Sequence, residues 1–166
     1  SAPERRKALA ERQRDRFWKT AATAAGALII VLICAQFIYS RTAQAVSPPE
    51  RLELRNGEAQ IPVAELADHK LHHYVVSING VDVRLIAILD SSDTVRTALD
   101  ACAICGTQGY YQDGKNVICR NCAAAINTST IGVAGGCNPI HIDYLVEGDS
   151  LHIAPTALAA AARTFR

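Results

Sequence analysis

The sequence has almost no net charge and lacks the motifs of several enzyme classes. Seventeen Lys and Arg residues against sixteen Asp and Glu leave a formal charge of +1. Binding of nucleic acid normally needs a concentrated basic surface on the folded domain, and here the basic residues crowd near the N-terminus. No nucleic-acid partner is therefore expected. Nothing in the chain resembles a hydrolase triad, a phosphate-binding loop or a nucleotide site, and no long internal repeat is evident.

Charge is also missing from residues 21–39, an apolar run. At 1.5 Å per residue, a helix of this length is close to the ~30 Å hydrocarbon core of a bilayer. Seven basic residues precede the run, whereas Arg41 stands alone after it until Arg51. This asymmetry predicts a single-pass helix with its N-terminus in the cytoplasm. A signal peptide cleaved after Ala43-Gln44-Ala45 is the alternative, but the apolar run is longer than most signal-peptide cores, which favours an uncleaved anchor.

These features predict four segments. Residues 1–20 form a basic cytoplasmic tail in contact with anionic membrane lipid. Residues 21–39 form the transmembrane helix, and residues 40–50 form a linker containing Ser47-Pro48-Pro49. Residues 51–166 form one small extracytoplasmic domain. A domain of roughly 120 residues has a modest core, so additional cross-links are expected to stabilise it.

Cysteines supply the strongest chemical signal. Five of the six lie in one stretch, as Cys102-x-x-Cys105, Cys119-x-x-Cys122 and a single Cys137. A C-x-x-C pair places two thiolates on one tight turn, and two such turns supply the four ligands of a tetrahedral Zn, Fe or iron–sulfur site. Two disulfides with a spare thiol are the alternative, because the domain is predicted to lie outside the cytoplasm.

Most of the domain is predicted to be β-structure. Residues 73–78 and 81–88 flank Asn79-Gly80, the strongest short-range hairpin signal. Ser91-Ser92-Asp93 resembles a helix N-cap, and the apolar residues from Val95 to Cys102 follow at helical spacing. A short helix is therefore predicted to deliver the first cysteine pair.

Weaker signals predict the remaining elements. Residues 110–118 and residues 140–153 predict two further hairpins, the second turning at residues 147–149. Residues 52–54 and 61–63 predict short edge strands around the Asn56-Gly57 turn. The expected fold is a mostly β, small α+β metal-binding domain with C-x-x-C knuckles of the zinc-ribbon or rubredoxin type, attached to one N-terminal transmembrane helix.

Several of these residues together resemble the FtrD-like membrane iron–sulfur family. The resemblance covers roughly residues 50–166. The residues that carry it are Leu71-His72, Val83-Arg84, Asp100-Ala-Cys102-Ala-Ile-Cys105, Gly109-Tyr110, Gly114, Val117-Ile-Cys119-Arg-Asn-Cys122, Ile131-Gly132 and Gly135-Gly-Cys137-Asn-Pro139. The chain departs from the family pattern in two ways. Ala123 stands where a glycine is usual, and many members have several membrane helices where this chain has one.

The resemblance implies a bacterial membrane protein that binds an iron–sulfur or other redox metal and acts in iron transport. Members occur beside, or fused to, Ftr-type iron permeases and their periplasmic iron-binding and cupredoxin partners. The resemblance therefore implies a location in the bacterial cytoplasmic membrane. A single anchor does not form a permeation path, so the role in transport is expected to be accessory.

The choice of metal and the full ligand set stay open. Iron–sulfur clusters are normally assembled in the cytoplasm, so mononuclear iron, zinc or copper is easier to reconcile with an extracytoplasmic domain. Cys137 exceeds the four ligands of the knuckles and is predicted to replace one thiolate, bridge a second metal or remain a reactive thiol. Among the five histidines, His72 and His141 are the preferred additional ligands, because His72 matches a family position and His141 lies four residues after Cys137.

The sequence suggests three classes of function. The first is a membrane-tethered metal-binding or electron-transfer subunit of an iron-uptake complex, without catalysis of its own. The second is a structural zinc-ribbon-like subunit of a membrane transport complex. The third is a thiol–disulfide enzyme, which is disfavoured because its C-x-x-C motif normally opens a helix whereas Cys102 is predicted at a helix end.

Overall fold

The computed structural model describes residues 2–43 and 48–166, in two compact units. The first unit is one long helix, α1 (Ala2–Ala43). Within it, Pro3–Ile38 is long and apolar enough to cross a membrane, and its most apolar window has a mean hydropathy of 2.3. Large apolar side chains from Leu28 to Ile33 are more than half exposed. Of the predicted linker, residues 44–47 lie outside the described residues.

The second unit consists mainly of short strands in three sheets. The strands are β1 (Glu50–Arg51), β2 (Ala59–Pro62), β3 (His72–Ile78), β4 (Val81–Leu89), β5 (Val95–Leu99), β6 (Tyr110–Asp113), β7 (Asn116–Cys119), β8 (Ala125–Asn127), β9 (Leu145–Glu147) and β10 (Ser150–Ile153). The sheet orders are β1-β3-β4-β5, β2-β10-β9 and β6-β7-β8. One α-helix, α2 (Pro155–Ala161), and 3₁₀ turns at Val63–Leu66, Thr128–Thr130 and Ala162–Phe165 complete the unit. The prediction of a mostly β domain after an N-terminal helix is confirmed.

The central hairpin joins β3 and β4 at Asn79-Gly80, as predicted. Asn79 and Gly80 have φ angles of 50° and 80°, and Ile78 pairs with Val81 across the turn. Positive φ at both central residues gives a turn whose twist matches that of the flanking strands, which is why Asn-Gly specifies it. The predicted hairpin of β6 and β7 is also confirmed, with Tyr110 opposite Cys119.

Strand β4 contributes to two hydrophobic cores, one on each face of its sheet. Val83, Leu85 and Ala87 pack in the larger core, which also contains buried residues of β2, β10 and α2. Ile86 and Ile88 point the other way, because successive side chains of a strand alternate between faces. They pack in a second, smaller core that also contains the first cysteines of both C-x-x-C pairs. The four-stranded sheet β1-β3-β4-β5, called the large sheet below, therefore packs one face against the core that contains these two cysteines.

The helix predicted after Ser91-Ser92-Asp93 was wrong, because residues 95–99 form β5. This strand pairs antiparallel with β4, with Val95 opposite Leu89. The Asp90 carboxylate accepts the backbone N–H groups of Ser92 and Thr94 and thereby closes a turn that starts no helix. Pairing with β4 supplies long-range hydrogen bonds that local helical spacing does not reveal. Cys102 therefore follows the end of a strand, not of a helix.

Two smaller predictions shift in position. The Asn56-Gly57 turn forms, but the strands near it are β1 and β2, while residues 52–54 lie outside any strand. Val63 starts a 3₁₀ turn after Pro62. In the predicted hairpin of residues 140–153, β9 is limited to Leu145–Glu147. The segment before β9 is held by single hydrogen bonds instead, including Ile140 N–H to Ala101 O at 2.9 Å.

Candidate metal centre

The first cysteine pair lies on a tight loop after β5. Cys102 and Gly106 exchange backbone hydrogen bonds of 3.0 and 2.9 Å, which close the loop around the pair. The Cys105 N–H donates to the Cys102 sulfur at 3.0 Å. Gly106 has φ of 66°, in the left-handed region that favours glycine. Cys102 is buried and Cys105 half-buried, so the loop presents one sulfur inward and one toward its rim.

The second cysteine pair forms a similar loop between β7 and β8. Cys119 N–H donates to Ala124 O at 3.0 Å, and Ala123 N–H donates to Cys119 O at 3.0 Å. Ala123 occupies the position that Gly106 has in the first loop, directly after the second cysteine, and its φ is also positive at 58°. The two C-x-x-C loops thus share a residue with positive φ directly after the second cysteine. This residue is glycine in the first loop and alanine, which adopts positive φ at a higher energetic cost, in the second.

Cys137 reaches both loops from a third segment. Its sulfur lies 3.2 Å from the Cys122 sulfur and 4.0 Å from the Cys105 sulfur. The preceding Gly135 and Gly136 both have positive φ, so the chain turns sharply just before Cys137. The Tyr110 hydroxyl donates to the Cys137 carbonyl at 2.6 Å and holds the turn against β6.

All five clustered cysteines come together in two overlapping groups. The sulfurs of Cys102, Cys105 and Cys137 lie within 4.8 Å of one another, as do those of Cys105, Cys119 and Cys122. Cys105 belongs to both groups and therefore connects them. All five thiols are free in this structure. Closely spaced thiols of this kind suit zinc, iron or an iron–sulfur cluster, all of which bind thiolate.

Hydrogen bonds favour the thiolate form at two of these cysteines. Burial tends to raise the pKa of Cys102, but hydrogen bonds from N–H groups of its loop and from Tyr110 outweigh burial and lower it. Hydrogen bonding to Cys137 lowers the pKa of Cys122 to about 7, and the same contact raises the pKa of Cys137 to about 12. Because metals bind thiolates, both lowered pKa values favour ligation.

A buried polar contact supports the first loop and was missed from the sequence. The Asp100 carboxylate accepts the Tyr110 backbone N–H at 2.8 Å, which ties the start of the loop to β6. Gly109 leaves the space for it, since a Cβ at this position would lie 2.7 Å from both Asp100 carboxylate oxygens. The signal in the sequence was Gly109 itself, because a glycine often marks a place where another group approaches the backbone closely.

The structure does not bring the two predicted histidine ligands into these sulfur groups. His72 Nε2 lies 2.9 Å from Asp68 Oδ1, and its ring stacks on Tyr74. His141 Nε2 lies 3.1 Å from Asp143 Oδ1 and is more than half exposed. Within residues 2–43 and 48–166, the metal-binding groups contain only cysteine. The ligand roles of these histidines stay predictions.

Comparison with known proteins agrees with the chemistry of the site. The family model described as "Membrane iron-sulfur containing protein FtrD-like" matches residues 66–165. No curated protein matches the chain significantly. The family match spans more than half of the 166-residue chain and includes all five clustered cysteines. The chain therefore belongs to the FtrD-like family of membrane iron–sulfur proteins.

Proposed function

We propose that the five clustered cysteines hold iron, as a mononuclear ion or as an iron–sulfur cluster, in an electron-transfer or iron-handling subunit of a bacterial iron-uptake complex. The observation that carries the proposal is the position of Cys137, whose sulfur approaches a cysteine of each loop. A structural zinc site needs four ligands. A fifth thiol at the same centre favours a site with chemistry beyond holding the fold together, and the family description favours iron.

The residues around the thiols fit such a group. Thiolates are the usual ligands of iron–sulfur clusters, and hydrogen bonds to the sulfurs tune the reduction potential. The Cys105 N–H already points at the Cys102 sulfur. Cys102 and Cys119 are buried, whereas Cys122 is exposed. The cluster thus has an inner side shielded by the second core and an outer edge that a partner is able to approach.

In this proposal the bound iron supplies one-electron redox chemistry, and the protein positions and shields it. Cys102 and Cys119 anchor the ligand set in the second core, where both side chains are buried. Tyr110 fixes the turn that carries Cys137, because its hydroxyl bonds to the Cys137 carbonyl. Burial and the nearby Cys102 thiolate raise the pKa of Tyr110, so its hydroxyl stays protonated and keeps donating.

The proposal extends to membrane topology. Residues 1–20 are cytoplasmic, residues 21–39 cross the cytoplasmic membrane, residues 40–50 form the linker, and residues 51–166 face the periplasm or cell exterior. The excess of basic residues before the apolar run supports this orientation. An impermeant thiol reagent should label a Thr156→Cys variant in intact spheroplasts more strongly than the parent. Preferential labelling of a cysteine placed at residue 3 instead would reverse the orientation.

The proposed partners are an Ftr-type iron permease or another polytopic transport subunit, together with a periplasmic iron-binding or cupredoxin protein. The family resemblance supports this choice, and a single apolar helix suits a subunit held next to polytopic proteins. Co-purification of the permease with the tagged full chain in mild detergent is the direct test. Recovery of the chain without any transport subunit, from cells that express the whole system, would contradict this part of the proposal.

Metal analysis combined with optical and electron paramagnetic resonance spectra of the full chain, purified anaerobically, tests the metal. We expect iron, visible charge-transfer bands and a reversible one-electron reduction. Cys137→Ala should shift the reduction potential and lower iron uptake. Cys34→Ala should alter neither, because Cys34 lies in α1 and is the one cysteine of the sequence outside the cluster. His72→Ala and His141→Ala test the two predicted histidine ligands by the same spectra.

One outcome would replace the proposal by the structural alternative. If the chain contains only colourless stoichiometric zinc, and Cys137→Ala leaves iron uptake unchanged, the two C-x-x-C loops act as a zinc-ribbon-like scaffold. The four sulfurs of Cys102, Cys105, Cys119 and Cys122 are sufficient for that role. Native mass spectrometry that finds a disulfide within each C-x-x-C pair would exclude both the iron site and the structural zinc site.

A further inference from the structure

A cavity of about 250 Å³ is lined in part by residues that lie close to both cysteine loops along the chain. It is smaller than a typical pocket for a drug-sized molecule, which has at least about 300 Å³, so it suits a small ligand. Besides Pro49, the residues that line it come from the large sheet and from the segments next to both cysteine loops: His73, Tyr74, Arg84, Asp100, Gln108 and Arg120. Asp100 stands two residues before Cys102, and Arg120 directly follows Cys119.

Both arginines of the cavity are held in place by backbone carbonyl groups. Arg84 Nη2 donates to the carbonyl of Asp100 at 3.4 Å and to that of Thr107. Arg120 Nε donates to the Tyr110 carbonyl at 3.1 Å. Because a carbonyl carries only a partial charge, these bonds orient each guanidinium without neutralising it.

An aromatic ring lies beneath each guanidinium and adds to this orientation. The Arg84 guanidinium carbon is 5.5 Å from the centre of the Phe165 ring, and that of Arg120 is 5.8 Å from the centre of the Tyr111 ring. Stacking on an aromatic face restricts a planar guanidinium and leaves its outer N–H groups available. The two cations are therefore arranged before any ligand arrives.

Neither arginine has an acidic partner among the described residues. No carboxylate oxygen there lies within 4.0 Å of either guanidinium, in contrast to the Arg51–Asp82 and Arg96–Asp90 pairs, at 3.1 and 2.9 Å. The Asp100 carboxylate in the same cavity is occupied by the Tyr110 N–H at 2.8 Å and lies 3.7 Å from His73 Nδ1. Two guanidinium charges against one carboxylate leave the cavity with an excess of positive charge.

We propose that this cavity binds a small oxyanion through Arg84 and Arg120, with a carboxylate or phosphate group as the recognised chemistry. Guanidinium groups match the geometry of these anions and donate charge-assisted hydrogen bonds to them. His73, whose side chain is only 9% exposed, offers a further ring nitrogen at the wall of the cavity. The bound anion would lie next to the chain segments that carry Cys102 and Cys119.

Isothermal titration of the full chain in a neutral detergent tests this site, with inorganic phosphate and succinate as the probes. Ionic strength is held constant with chloride, because exposed charges are screened by salt. We expect saturable binding of at least one probe. Arg84→Gln and Arg120→Gln should each weaken it about tenfold or more, which corresponds to the loss of a charge-assisted hydrogen bond.

Arg163→Gln is the matched control, because Arg163 is an exposed arginine of the same domain that does not line the cavity. It should bind the probes like the parent. Arg120→Gln keeps the test valid if Arg84→Gln disturbs the fold, since Arg120 is exposed and makes one side-chain hydrogen bond. Absence of binding by both probes at millimolar concentration, or an equal loss in Arg163→Gln, would overturn the proposal.

Discussion

Ala123 has a left-handed backbone conformation in the second cysteine loop, so a single substitution at this position should stabilise the domain. Ala123 and Gly106 hold equivalent positions, with φ of 58° and 66°. The left-handed conformation costs a residue with a side chain about 1–2 kcal/mol. Glycine avoids this cost but has more conformational freedom to lose on folding, about 0.4–1 kcal/mol. Ala123→Gly should therefore stabilise the domain by about 0.7 kcal/mol, the difference between these two effects.

The reciprocal change in the first loop is the matched control. A Cβ added at Gly106 would meet nothing within 4 Å, so Gly106→Ala adds no clash and isolates the backbone effect. It should destabilise the domain by about 0.7 kcal/mol, by the same reasoning with the opposite sign. The double variant Ala123→Gly, Gly106→Ala should return close to the stability of the parent.

Urea unfolding followed by pulse proteolysis measures these differences in the full chain, under reducing conditions and at constant metal content. With a slope of about 1–3 kcal/mol/M, each substitution should move the midpoint by about 0.2–0.7 M. If Ala123→Gly leaves the midpoint unchanged while Gly106→Ala lowers it, Ala123 carries no backbone strain and the reasoning fails for the second loop.

Three further predictions concern the support of the site and of the large sheet. Gly109→Ala should lower the free energy of unfolding by more than about 2 kcal/mol, because its Cβ would lie 2.7 Å from the Asp100 carboxylate, and a thermal melt would detect this. Burial raises the pKa of Asp90, but hydrogen bonds from its turn and from Arg96 outweigh burial and lower it. The stability that Asp90 contributes is therefore present above the unfolded pKa of about 3.9 and is lost as the pH falls through the lower folded pKa. Arg96→Gln should remove about 2 kcal/mol of stability at pH 7. It should also weaken the loss of stability at acid pH, which urea titrations at several pH values would measure. Chelation of the metal should increase hydrogen exchange across residues 100–140, since a thiolate-bound metal contributes about 10 kcal/mol or more to folding; unchanged exchange after verified metal loss would contradict a structural contribution.

Local sequence was sufficient for the features that depend on short-range geometry. Asn79-Gly80 specified the central hairpin because few residue pairs accept two positive φ angles in succession. The apolar run of residues 21–39 predicted a long helix for the same kind of reason, since its length and composition alone suit a bilayer. The two C-x-x-C pairs predicted thiolate chemistry, because their spacing brings the sulfurs together within a single turn.

Long-range pairing decided what local patterns were unable to show. Val95 to Leu99 have a spacing compatible with a helix, yet hydrogen bonds to β4 make them a strand. Cys137 is separated from Cys105 by more than thirty residues, so its approach to both loops depends on how the domain folds. Likewise, Arg84 and Arg120 line one cavity although they lie in distant parts of the sequence. Sequence alone determined which atoms are able to bind metal, because that is a property of residue type and local spacing; tertiary structure decided which of them share one centre, because contacts between distant segments depend on the packing of the whole domain.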